Sequence, residues 1–276
     1  MQKGLLIAVA TACSIGIAGA QAPNAPAFDV ASIKPALAGV GDQYISAVQP
    51  GGRYIGMNIT TRMLIKIAYG VHDSQIIGGP AWTNTDRFDI NAKAEGYPDA
   101  VAFRDTAQLM LRPLLTDRFK LTLRREQREL PIYAMTVAKP GELGPRLQPD
   151  DGRECTTPRP PIPIPISPSG VAPGALTCGG EMFASGVLMG RALTLSTLAI
   201  TLTRFADRVV VDETGLTGKF DWHIFWLPDE IALSGRSIDG PSMFSAFRDE
   251  AGLKLEPRRR PVEVLVVERA EHPEPD

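Results

Sequence analysis

Residues 52–138 recur in outline at residues 186–272, and no other feature of the chain constrains its fold as tightly. Gly52 and Gly56 return as Gly186 and Gly190, then Thr60 and Leu64 return as Thr194 and Leu198, each 134 positions later. At Phe88-Asp89 and Phe220-Asp221 the offset falls to 132, which implies a two-residue deletion in the loop just before the second pair. It recovers to 134 for Lys120-Leu121 against Lys254-Leu255 and for Arg124-Arg125 against Arg258-Arg259. A chain that repeats its turn glycines, helix caps and strand starts in one order predicts two copies of one architecture.

Each copy has the same grammar. In the first, Arg53-Tyr54-Ile55 reads as a strand, and Thr60 or Thr61 caps a helix whose Met63, Leu64, Ile67, Ala68 and Val71 fall at helical spacing. Gly70 and the Gly78-Gly79-Pro80 turn end that element, and Arg87 to Ala92 begins another strand. A second helix runs through Ala107, Met110, Leu111, Leu114 and Leu115, with a kink expected at Pro113. Phe119, Leu121 and Leu123 alternate with Lys120, Thr122 and Arg124, and Ile132 to Val137 is expected to close a hairpin with that strand. The second copy predicts a helix on Leu195, Leu198, Ala199, Leu202 and Phe205, strands at 209–211 and 220–226, a helix from Ser242 to Gly252, and a closing hairpin of 253–256 with 262–267. Ahead of both copies, Phe28 to Lys34 reads as a strand stopped by Pro35. The expected class is α+β, two pseudo-equivalent repeats of helices packed on mainly antiparallel sheets and hairpins.

The N-terminus speaks to destination. Lys3 precedes the apolar run Leu5 to Val9, which continues through Ile15 and Ile17 to Ala18-Gly19-Ala20. Charge, apolar stretch and small residues in that order predict a signal peptide cut after Ala20, hence a periplasmic or secreted protein with no transmembrane span in the mature chain. Lipidation at Cys13 is disfavoured because the apolar stretch continues past it. Without the leader two cysteines remain, Cys155 and Cys178, and an even pair in an oxidising compartment favours a disulfide over two unrelated thiols. Between them Pro158, Pro160, Pro161, Pro163, Pro165 and Pro168 alternate with isoleucines, which excludes regular helix or sheet. The expected organisation is a signal peptide over 1–20, a first repeat with its N-terminal strand over 21–139, a Pro-rich disulfide-tethered insertion over 140–185, and a second repeat over 186–276.

Chemistry is harder to find. With 44% hydrophobic and 22% charged residues and a formal charge of −2, the chain can bury a core but exerts no broad pull on nucleic acid. It holds no Gly-x-Ser-x-Gly elbow, Ser-x-x-Lys, His-Glu-x-x-His, phosphate loop or EF-hand pattern, and no Cys-x-x-Cys. No cofactor or metal is therefore expected. Of three histidines, His72 follows a helix end and reads as a C-terminal-turn residue, His223 sits among aromatics on a strand, and His272 lies in a charged, solvated tail. Asp89 and Asp221 could be an acid and base only if the copies bring them together, and a structural role is favoured. Arg124, Arg125 and Arg128 in one copy, with Arg258, Arg259 and Arg260 in the other, form two basic clusters. They could bind an anionic ligand or partner, although charged edge strands also serve simply to block aggregation.

The strings Phe28 to Pro35, Gly78-Gly79-Pro80, Asp117 to Leu121, Arg128 to Pro131, Val211 to Leu216 and Gly252 to Glu256 closely resemble the exported "soil-associated" protein family, a domain of unknown function. That resemblance implies export and supplies no activity or catalytic residue. Pro113 and Arg124 depart from its usual pattern. More faintly, each repeat is similar to the βαβ interaction modules at the N-termini of secretins and TonB-dependent receptors, a likeness of fold alone. The sequence leans away from an enzyme and toward an exported binding module, with Arg124, Arg125, Arg258 and Arg259 as candidate contacts for an envelope or extracellular protein or an anionic ligand. The alternatives are an extracytoplasmic hydrolase with a site between the repeats, and a structural envelope protein.

Overall fold

A computed structural model of the chain describes residues 26–37, 44–98, 100–150, 152, 178–184, 186–228 and 240–274. The expected signal peptide, Cys13, Cys155 with its expected bridge to Cys178, and the prolines from Pro158 to Pro168 lie outside these residues. In chain order the strands are β1 (Val30–Pro35), β2 (Ile45–Gln49), β3 (Arg53–Thr60), β4 (Ile76–Gly78), β5 (Arg87–Lys93), β6 (Thr122–Val137), β7 (Leu147–Pro149), β8 (Glu181–Ala184), β9 (Val187–Leu193), β10 (Val209–Asp212), β11 (Phe220–Phe225) and β12 (Leu253–Arg269). The helices are α1 (Thr61–Tyr69), α2 (Trp82–Thr85), α3 (Ala100–Arg118), α4 (Leu195–Leu202) and α5 (Met243–Ala246), with a 3-10 turn at Asp73–Gln75 and a π-helical turn at Phe247–Ala251. Three four-stranded sheets result, ordered β1-β5-β3-β2, β10-β6-β12-β4 and β7-β11-β9-β8. The class is α+β, and the outer two sheets are antiparallel throughout.

Short-range chemistry explains the strand-to-helix corners. Where β3 leaves its register with β5, Asn58 takes φ +55°, and its backbone N–H donates to Asp89 Oδ1 at 2.8 Å. Two residues on, the Thr60 hydroxyl accepts from Met63 N–H and caps α1. Leu64, Ile65 and Ala68 then turn inward, and Gly70 ends the helix in the left-handed region. The corner between β9 and α4 uses the same devices: Ala192 has φ +54°, its N–H donates to Asp221 Oδ1 at 2.9 Å, and Thr194 caps α4 by accepting from Thr197 N–H. Gly52 and Gly186 also match, each at positive φ with no room for a Cβ, which would fall 1.9 Å from the Ala94 carbonyl oxygen and 2.7 Å from that of Trp226. The helix expected around Pro113 forms and runs on through it to Arg118.

The expected hairpins do not form. Residues 122–137 are one strand and residues 253–269 another, paired antiparallel along nearly their whole length, with Leu253 opposite Val137 and Val267 opposite Leu123. A tight hairpin needs Gly, Asn or Asp where φ turns positive. Glu126-Gln127-Arg128-Glu129-Leu130 and Pro257-Arg258-Arg259-Arg260-Pro261 offer none, so both segments run straight and pair with each other. The segment expected as a Pro-rich, disulfide-tethered insertion, 140–185, contributes β7 and β8 to the third sheet.

Each long strand therefore begins in one core and ends in the other. One core holds Ile33, Leu64, Phe88, Leu111, Phe119 and Leu121 from the first half of the chain, completed by Leu265, Val267 and Ala270. The second holds Met135, Leu198, Phe220, Trp222, Phe247 and Leu253. Leu265 is fully buried, so Leu265→Ala should cost about 2–5 kcal/mol, and its damage should fall far away in sequence. Hydrogen exchange should speed up in β5 and α3 while β11 and α4 keep their protection. Equal loss in both lobes, or loss confined to the second, would contradict this assignment.

Candidate functional site

The two arginine clusters come together on the β6-β12 ribbon. Residues 127–129 and 257–261 are exposed, because β10 pairs only with 132–135 of β6 and β4 only with 265–267 of β12. Carboxylates interleave with the arginines. Arg124 pairs with Glu126 and with Glu268 (2.9 Å), Arg125 with Glu263 (2.6 Å) and Arg128 with Glu126. On β12, Arg258 pairs with Glu256 of its own strand and with Glu213 just past β10, and Arg260 pairs with the same Glu213 at 2.8 Å. Arg259 donates to the Glu129 carbonyl oxygen at 3.1 Å. Exposed pairs of this kind contribute little individually. Together they leave the ribbon with little net field, and its charged edges and prolines oppose pairing with another chain.

Asp89 and Asp221 lie in different sheets, each accepting from the bulge amide of its own corner. They do not form a shared carboxylate pair. His72 caps the N-terminus of the 3-10 turn at 73–75 rather than closing the end of α1, its Nδ1 accepting from Ser74 N–H. His223 contacts Arg146 and lies edge-on to Phe225. His272 is exposed to solvent, but it has partners there: it stacks on Trp82 with ring centroids 4.0 Å apart, and its Nε2 lies 2.8 Å from Asp86 Oδ2. Tyr54 bonds Ser46 at 3.0 Å under the first sheet, and burial pushes its phenol up to about 12. Burial also raises the Glu181 carboxyl above its usual range, opposed by the hydroxyl of Thr201.

A different surface stands out once the sheets are paired. The outward face of β1-β5-β3 carries Val30, Ser32 and Lys34, then Asp89, Asn91 and Lys93, then Arg53, Ile55 and Met57 around an open recess of ≈ 560 Å³. Among the described residues no helix lines it, and Met57 is 47% exposed. Lys93 stands directly opposite Val30 on one side and Arg53 on the other, and Lys34 stands opposite Asp89. Among the described residues none of the Lys34, Arg53 and Lys93 side chains makes an ion pair or hydrogen bond. Two adjacent cations in register repel.

Neither Arg53 nor Lys93 emerges from the sequence alone, because an isolated cation on a strand is the ordinary solvent-facing residue. The signal that finds them is the offset itself. Position 53 corresponds at 134 to Val187, and position 93 corresponds at 132 to Phe225, which are opposite each other in the third sheet. One lobe thus has an apolar cross-strand pair where the other has two like charges.

Among the described residues no group of three or more His, Cys, Asp or Glu side chains could hold a metal, and no helix is long and apolar enough to cross a membrane. A family model described as a protein of unknown function (DUF3738) matches residues 62–270. β5 lies within the matched span, and β1 to β3 precede it. No match was found among curated proteins or among solved structures.

His72, away from the recess, gives the fold a pH signature. Burial, then Lys66, pulls its imidazole below the ordinary 6.5, against Asp73, Asp207 and the Ala206 backbone. The unfolded chain binds that proton more readily, so the contribution is complete above about pH 6.5 and is lost as pH falls through the lower folded value. His72→Asn keeps an N-cap acceptor without the titration. Its melting temperature should fall less than that of the wild type between about pH 7 and about pH 5, and parallel pH profiles would show that His72 does not contribute.

Proposed function

The chain belongs to the DUF3738 family of proteins of unknown function, and we propose that it is an exported binding module that performs no covalent chemistry. In this reading two lobes of one repeated design share the β6-β12 ribbon, and the uncovered outer face of the first sheet meets the partner, an envelope or extracellular protein or an anionic ligand. One observation carries it. Arg124, Arg125, Arg128, Arg258 and Arg260 of the ribbon pair with neighbouring carboxylates and Arg259 with a carbonyl oxygen, whereas Lys34, Arg53 and Lys93 line a recess without a partner among the described residues. Two like charges held side by side next to exposed apolar side chains suit a surface that meets an anionic ligand.

Export rests on Lys3, the apolar run after it and Ala18-Gly19-Ala20. The duplication draws support from the matched corners, where Asn58 and Ala192, Thr60 and Thr194, and Asp89 and Asp221 play like parts. A hydrolase using Asp89 and Asp221 finds less support, since both carboxylates hold bulge amides in separate sheets.

The chain expressed with its leader should appear outside the cytoplasm with Gln21 at its N-terminus. Purified in that form, it should turn over no ester, phosphoester, glycoside or amide substrate above background. Turnover lost in Asp89→Asn at unchanged melting temperature would overturn the proposal, as would an intact leader on the mature protein. Changing Arg124, Arg125, Arg258 and Arg259 together to Ala should leave ligand capture unaltered, because those side chains are satisfied within the ribbon or exposed without a recess.

A further inference from the structure

The outer face of the first sheet can be read row by row across its strands. One row runs Val30, Lys93, Arg53, Gln49, and the next runs Ser32, Asn91, Ile55, Ala47. Beyond the bulge Lys34 and Asp89 stand together, with Met57 beside them on β3 opposite Ile45 of β2. The first row puts two cations opposite each other at cross-strand distance, on the order of 5 Å between Cβ atoms. The second offers a hydroxyl and a carboxamide. Ile55, Met57 and Ile45 form an apolar strip alongside, with Met57 47% and Ile45 51% exposed. Asp89 Oδ1 already holds the Asn58 amide, so that acid is partly committed.

The third sheet is the internal control. Its pair at the positions of Arg53 and Lys93 is Val187 and Phe225, and Val187 and Met189 on that face are only 3% and 5% exposed. That face of the third sheet is buried and takes an apolar pair, whereas on the solvent-facing first sheet the same positions hold two like charges side by side, an arrangement that costs repulsion unless an anion lies between them. We infer that the recess on the first sheet is a binding site for an organic carboxylate with an apolar body, its carboxylate held between Arg53 and Lys93 and its body laid over Ile55 and Met57. This deepens the binding-module reading and rests on it. The bidentate fork of Arg53 fits a carboxylate, and the ammonium of Lys93 supplies a second charge from the opposite strand. A recess of ≈ 560 Å³ is of the size that small-molecule sites have. Ser32 and Asn91 set hydrogen-bonding groups beside the apolar strip.

Three eight-carbon probes separate the contributions: octanoate, octylamine and octanol, titrated into the 15N-labelled mature protein. Octanoate should shift the amide signals of β1, β3 and β5, and octylamine should not bind. Arg53→Ala with Lys93→Ala should weaken octanoate by about tenfold or more, while Arg258→Ala leaves it unchanged. A second variant guards against misfolding: Arg53→Val with Lys93→Phe installs the pair of the third sheet, and it should melt at a higher temperature than the wild type yet lose octanoate binding. Octanoate without effect at millimolar concentration, or binding unaltered in either double variant, would overturn the inference. Octylamine or octanol binding as well as octanoate on the same strands would also overturn it, while leaving this face as the contact surface. Sedimentation showing that a second copy occupies the face would likewise replace the carboxylate. Failure of the broader reading would look different, namely substrate turnover.

Discussion

The antiparallel union of β6 with β12 is the interaction on which the rest of the structure depends. It carries Leu265, Val267 and Ala270 into the core built by the first half of the chain, and Met135 into the other. A hairpin within each half would have made two separable domains. Pairing the long strands with each other instead makes each lobe incomplete without the far end of the other's strand. The middle of the ribbon then has water on both faces, so its side chains must satisfy one another. That explains the alternation of arginine with glutamate there, and why Pro131, Pro257 and Pro261 sit where no third strand pairs.

Local structure was legible in the sequence wherever a side chain acts on its own backbone. Thr60 and Thr194 announce helix starts, Gly70 and Gly252 helix ends, and Arg87 to Ala92 a strand. Strand partnership was not legible in the same way. Alternation tells which residues face inward but not which strand lies alongside, and both long segments alternate equally well as hairpins or as one another's neighbours. The missing turn residues at 126–130 and 257–261 were the available clue. His272 shows the same limit, since nothing local in a charged tail points to Trp82 some 190 positions earlier.

The candidate surfaces follow from comparing the lobes rather than from reading either alone. Basic clusters stand out in a sequence because they are contiguous, yet on the paired ribbon most of those charges find carboxylates along their own strand, across the pair or on the neighbouring Glu213. Arg53 and Lys93 lie forty positions apart and become neighbours only in the sheet. Shared features such as the bulge aspartates belong to the scaffold. The unshared ones, charge in one sheet against an apolar pair at the offset positions of the other and exposure against burial, are where the two sheets differ.

Exchange of the long strands also sets an order of assembly. The core around Trp222 draws on residues 133–255, a continuous stretch, so it can close as soon as that stretch exists. The core around Phe119 is synthesised first but waits for Leu265 and Val267, near the end of the chain. The earlier half is thus the later one to finish, and until then its sheet has no complete hydrophobic floor. Contacts of such long sequence separation fold slowly.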